Sequence, residues 1–92
     1  MYQIGRERTI TDRFELELSK LKPEDGINGS EIVKGYQFIS TYGHGYLVVP
    51  RTSAHYAKAK KISKSYGYTG KLAVYLEEDC QAGEFLKQIE YN

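Results

Sequence analysis

A chain of 92 residues has room for one hydrophobic core and not for two. With 40% hydrophobic and 27% charged residues it is globular rather than disordered, because enough apolar surface exists to offset the entropy of ordering the chain. Thirteen Lys and Arg against 12 Asp and Glu leave a formal net charge of +1, too little for whole-chain attraction to nucleic acid or an anionic membrane.

The N-terminal stretch Met1-Tyr2-Gln3-Ile4-Gly5-Arg6 lacks the apolar core of a signal peptide, and no apolar run approaches membrane-spanning length. The expected compartment is the cytoplasm. A single cysteine, Cys80, excludes an internal disulfide and a cysteine-rich zinc site.

In Thr9 to Leu18, Phe14, Leu16 and Leu18 alternate with Glu15 and Glu17. Period two favours a half-buried strand; the rival is a helix capped by Thr11 with Phe14, Leu18 and Leu21 on one face. Residues Lys22 to Ser30 carry Pro-x-Asp-Gly and Asn-Gly signals and read as a loop. Two β-rich runs, Tyr36–Thr41 and Tyr46–Pro50, flank Tyr42-Gly43-His44-Gly45 and predict a hairpin closed by Pro50. Thr52 or Ser53 caps a helix running to about Lys64, with His55, Tyr56, Ala59 and Ile62 on one side and Lys60, Lys61 and Lys64 on another.

Tyr66 to Gly70 form a turn, and Lys71 to Glu77 a strand with Leu72, Val74 and Leu76 on one face and Ala73 and Tyr75 on the other. A last helix starts near Asp79 as its N-cap and aligns Ala82, Phe85, Leu86 and Ile89. These elements predict an α+β domain: a small, mainly antiparallel sheet with two helices on one face, in the order β-β-β-α-β-α.

Two segments could carry chemistry. His44 sits between glycines, which permit a positive φ and leave the imidazole unscreened, so it can act as acid, base or hydrogen-bond donor. A turn that needed glycines and happened to hold a histidine is the other reading, and on spacing alone it comes slightly ahead. Glu77-Glu78-Asp79 join the end of a strand to the start of a helix. Capping and the helix dipole account for Asp79 and Glu78, which leaves Glu77 as the carboxylate least explained by structure. Together the three are candidate partners or bases for His44. Next to three carboxylates the Cys80 thiol is a poor nucleophile and reads as a small buried apolar group.

No metal constellation, phosphate-binding motif or cofactor signature is present, and His55 reads as a packed histidine. Tyr36, Tyr42, Tyr46, Tyr66, Tyr68 and Tyr75 crowd the middle of the chain, as sheet and core residues or as a binding surface. Lys58, Lys60, Lys61, Lys64 and Arg51 make a basic strip beside Tyr66 and Tyr68, which is either a solvated helix face or a nucleotide or single-strand contact.

The run Ser40-Thr41-Tyr42-Gly43-His44-Gly45-Tyr46, followed by Tyr75-Leu76-Glu77-Glu78-Asp79-Cys80, resembles a group of small proteins and domains common in phages and mobile elements. These share a Ser-Thr-x-x-His-Gly segment followed by Glu-Glu-Asp-Cys. The resemblance covers about residues 38 to 89 and does not extend to the first third of the chain. It implies a phage-like setting, hence a host-cell cytoplasm, and a single site made of His44, Gly45, Glu77, Glu78, Asp79 and Cys80. It implies no mechanism.

The leading expectation is therefore a non-enzymatic binding protein that occupies a host protein, such as a defence component, through Tyr42, His44, Tyr46, Arg51, Tyr66, Tyr68 and Glu77. The alternative is a site that sequesters a nucleotide or small molecule, or a minimal hydrolase using His44 with Glu77, Glu78 or Asp79. Direct nucleic-acid binding ranks last, a homo-oligomer is compatible with either reading, and no membrane partner is expected.

Overall fold

In a computed structural model of the chain, residues 12–23, 26–63 and 67–90 are described. The expectations for Met1 to Arg6, Thr11, Lys64 and Tyr66 lie outside these residues, as do the side chains of Asp79 and Cys80. The fold is α+β: the described residues form three helices and a five-stranded, wholly antiparallel sheet in the order β1-β2-β3-β5-β4.

The first described element is a helix, α1 (Arg13–Leu21), and not the strand that the alternation favours. Asp12 is its N-cap, with Oδ1 accepting the N–H groups of Phe14 (2.8 Å) and Glu15 (3.0 Å). The alternation misleads because burial does not follow polarity here: Glu15 and Leu18 are inside while Leu16 faces solvent. Glu15 accepts the Ser30 hydroxyl at 2.9 Å, and Glu17 accepts the Lys71 and Leu72 N–H groups and the Tyr75 hydroxyl.

Part of the expected 22–30 loop is a strand, β1 (Ile27–Val33). It lies at the sheet edge, so neither of its faces needs an apolar row and the usual strand pattern is missing. Lys34 (φ 51°) and Gly35 (φ 87°) turn it tightly into β2 (Tyr36–Thr41). Positive φ at both central positions is the two-residue hairpin geometry that matches strand twist.

The predicted hairpin is present as β2 and β3 (Gly45–Pro50). After it, the Ser53 hydroxyl oxygen accepts the His55 N–H at 3.1 Å, and α2 (Tyr56–Ile62) follows. The 66–70 turn contains a two-residue edge strand, β4 (Tyr68–Thr69). Then β5 (Ala73–Glu77) slots between β3 and β4, antiparallel to both. The last helix does not begin at Asp79: a wide π-helical turn, Glu78–Ala82, precedes α3 (Gly83–Glu90). In that turn the buried Gln81 side chain donates to the Ile62 carbonyl (3.2 Å) and accepts the Glu77 N–H (3.3 Å), tying α2 to the end of β5.

The two predicted helices share one face of the sheet, and α1, expected as a strand, covers the other. Leu47, Val49, Val74 and Leu76 pack against Ala59 of α2 and Ala82 and Phe85 at the C-terminal helix. On the other face Ile39, Tyr46, Val48, Ala73 and Tyr75 pack under Leu18 and Phe14 of α1. Strand alternation makes this unavoidable, since β3 and β5 are apolar at odd and even positions alike and each set must be buried.

Tyr75 marks how tightly α1 closes its face. Burial, followed by the hydrogen bond to Glu17, pushes its phenol well above the usual tyrosine value of 10.0. A group held protonated in the folded chain beyond the point where the unfolded chain ionises gives its full contribution below that value and loses it as pH rises further. Urea midpoints should therefore fall as pH climbs past 10.0, and the fall should be shallower in Tyr75→Phe, which has no phenol to ionise. Parallel slopes in the two proteins would contradict this.

Candidate functional site

The hairpin tip is built by Thr41. Its N–H (2.7 Å) and hydroxyl (3.0 Å) both donate to the His44 carbonyl, while its hydroxyl oxygen accepts the His44 N–H at 2.9 Å. These bonds engage the His44 N–H and carbonyl and leave its imidazole outside them. The flanking glycines do not serve the turn as expected, for neither Gly43 nor Gly45 has a positive φ. At Gly45 the requirement is space: a Cβ would strike the Phe38 ring and come within 2.8 Å of Glu78 Oε1.

Register decides which carboxylate meets His44. Tyr46 pairs with Glu77, so the start of β3 lies beside the end of β5, and His44 and Glu77 share the sheet face covered by α1. His44 Nδ1 is 3.8 Å from Glu77 Oε2, an ion-pair distance but beyond a direct hydrogen bond. Glu78 is the next residue, and it projects to the opposite face, toward Phe38 and Gly45. The acidic run is thus divided between two faces. Of the candidates His44, Glu77, Glu78 and Asp79, the structure brings His44 and Glu77 together and turns Glu78 away.

The tyrosines separate just as clearly. Tyr42 is 77% exposed at the tip. Its N–H donates to the Gly26 carbonyl at 3.2 Å, and its ring lies where a Cβ on Gly26 would be only 3.2 Å away. Gly26 itself has φ 72°, so glycine is needed there for both shape and space. The Pro-x-Asp-Gly signal pointed to a turn at Gly26 but gave no sign that the turn would seat Tyr42.

Tyr46 is no surface aromatic; it is buried, with rings of Tyr68 (5.8 Å) and His44 (6.4 Å) beside it. Tyr68 is half-buried between Tyr46 and the Lys22 ammonium, 5.5 Å from its ring. Tyr36 lies edge-on against Phe85 at 5.4 Å, and His55 meets the same ring at 6.3 Å.

Arg51 does not join His44. It follows Pro50 at the other end of β3, roughly 20–25 Å along the strand, where its N–H donates to the Leu72 carbonyl at 2.9 Å. Within the basic strip, Lys60 and Lys61 are exposed and Lys58 is half-buried. Among the described residues no group of three His, Cys, Asp or Glu is placed to hold a metal ion, and no helix is long and apolar enough to cross a membrane. The tip offers one imidazole–carboxylate pair beside one displayed phenol ring. No protein-family model, curated protein or solved structure matches the chain.

Proposed function

We propose that the protein works by occupancy: it is a binding protein of a phage or mobile element that seats the tip Tyr42-Gly43-His44, with Glu77 beside it, on a host protein such as a defence component. The observation that carries this reading is Tyr42, an aromatic ring 77% exposed on a backbone held by Gly26 and the Thr41–His44 bonds. A large ring displayed on a fixed turn loses little freedom on binding, which is what interface anchors require.

Capture from host lysate on the native protein, repeated with Tyr42→Ala, identifies the partner as the species lost with the ring. Tyr42→Ala should weaken its binding by at least about tenfold, the effect of removing an anchor, with thermal stability unchanged. Titration of the captured partner should saturate near about one equivalent, as occupancy requires.

The pairing of His44 and Glu77 at 3.8 Å favours a second reading, an acid–base pair acting on a nucleotide or other small molecule. Full effect at about a hundredth of an equivalent, abolished by His44→Ala, would replace the first reading with this one, because only turnover acts substoichiometrically.

A further inference from the structure

At the other end of the α1-covered face lies a groove of about 650 Å³ between α1 and the chain segment entering β5. Its apolar lining is Leu16, Leu21 and Leu72, exposed by 45%, 37% and 36%. Around them stand Arg13, Lys20 and Lys71. The lining holds one carboxylate, Glu17, and its oxygens are engaged by hydrogen bonds. Oε2 accepts the Lys71 N–H at 2.6 Å, Oε1 accepts the Tyr75 hydroxyl at 2.6 Å, and both share the Leu72 N–H. The groove therefore presents three cations to solvent over an apolar floor, in a chain whose net charge is only +1.

We propose that this groove docks an acidic, apolar helical segment of a partner protein. Arg13, Leu16 and Lys20 follow helical spacing along one side of α1, and Leu21 lies at its C-terminal end, so cationic groups stand between the two leucines. A partner helix with leucine-like residues on one face and Asp or Glu along its margins would complement both kinds of group. The three leucines are too open for a single acyl chain, which would stay half wet, whereas a helix lying across them removes all three from water. This site is separate from the hairpin tip, and the proposal does not rest on the reading given to Tyr42 and His44.

The test is selection of yeast-displayed random peptides of about 16 residues, roughly four helical turns, on the full-length protein. Selected peptides should carry apolar residues at i, i+3 or i+4 and i+7, with carboxylates flanking them. In fluorescence anisotropy their binding should weaken with added salt, and by about tenfold or more in Leu16→Glu and in Lys20→Glu. Ile32→Glu, an exposed apolar residue elsewhere, and Tyr42→Ala should leave it unchanged. Basic or apolar-free winners, winners indifferent to Leu16→Glu, or no winners at all would overturn the proposal. So would displacement of the peptides by dodecanoate at comparable concentration, which would make the groove a site for lipid-like carboxylates instead.

Discussion

Glu17→Gln is expected to destabilise the protein by about 2–4 kcal/mol, a large share of what a small domain has. The carboxylate accepts the Lys71 N–H, the Tyr75 hydroxyl and the Leu72 N–H. An amide of the same shape keeps one oxygen and turns an NH2 toward donors. Either the strand-entry N–H groups or the buried phenol must then lose an acceptor. Thermal unfolding should fall by about 10–20 °C. A double-mutant cycle with Tyr75→Phe isolates the phenol's share, because the penalty of Glu17→Gln should shrink once no hydroxyl needs an acceptor. If Glu17→Gln unfolds within a degree or two of the native protein, α1 is not anchored through this carboxylate.

Phe85→Ala should cost more, about 3–5 kcal/mol. The ring is fully buried between α3 and the sheet and is met edge-on by both Tyr36 and His55. Removing it leaves a void that three different elements would have to collapse to fill, and two aromatic contacts disappear with it. Urea unfolding should show a lower midpoint at an unchanged slope. Phe85→Leu, which refills much of the space, should recover more than half of the loss. Equal loss in both variants would mean that the ring contacts, rather than volume, dominate this layer.

What could be read from the sequence was what burial writes into residue type. The β2–β3 hairpin, β5 and the apolar faces of α2 and α3 sit inside, and their residues alternate or recur accordingly. Where a polar side chain is buried for the sake of a distant partner, the rule inverts. Glu15 and Glu17 occupy positions that a helix-face argument would give to apolar residues, and Leu16 takes a solvent position, so α1 resembles a strand. The edge strand β1 escapes for the opposite reason, since neither face is buried enough to leave a pattern. Lys34-Gly35 between Val33 and Tyr36 was its one legible mark.

In the candidate site, the meeting of His44 with a carboxylate was foreseeable from the order of elements, provided β5 ran in the same direction as β2. Which carboxylate it would be depends on a register that no local pattern sets. The tyrosines show the same division. Their types were visible, but the burial of Tyr46 and the seating of Tyr42 on Gly26 depend on contacts between segments far apart in the chain.

Because β5 fills the slot between β3 and β4, the ribosome delivers this interior strand after the other four. Strands β1 to β3 can pair as hairpins while residues 71 onward are still being added, but β3 then carries a free edge that only residues 73–77 will cover. Until then Leu47 and Val49 lack the helix α3 that buries them. A nascent chain stalled before Ala73 is thus an open, apolar-faced template for pairing with another chain. Arrest-peptide measurements of folding force on the ribosome should show the main event only after α3 has cleared the exit tunnel, with little earlier signal from the hairpin alone.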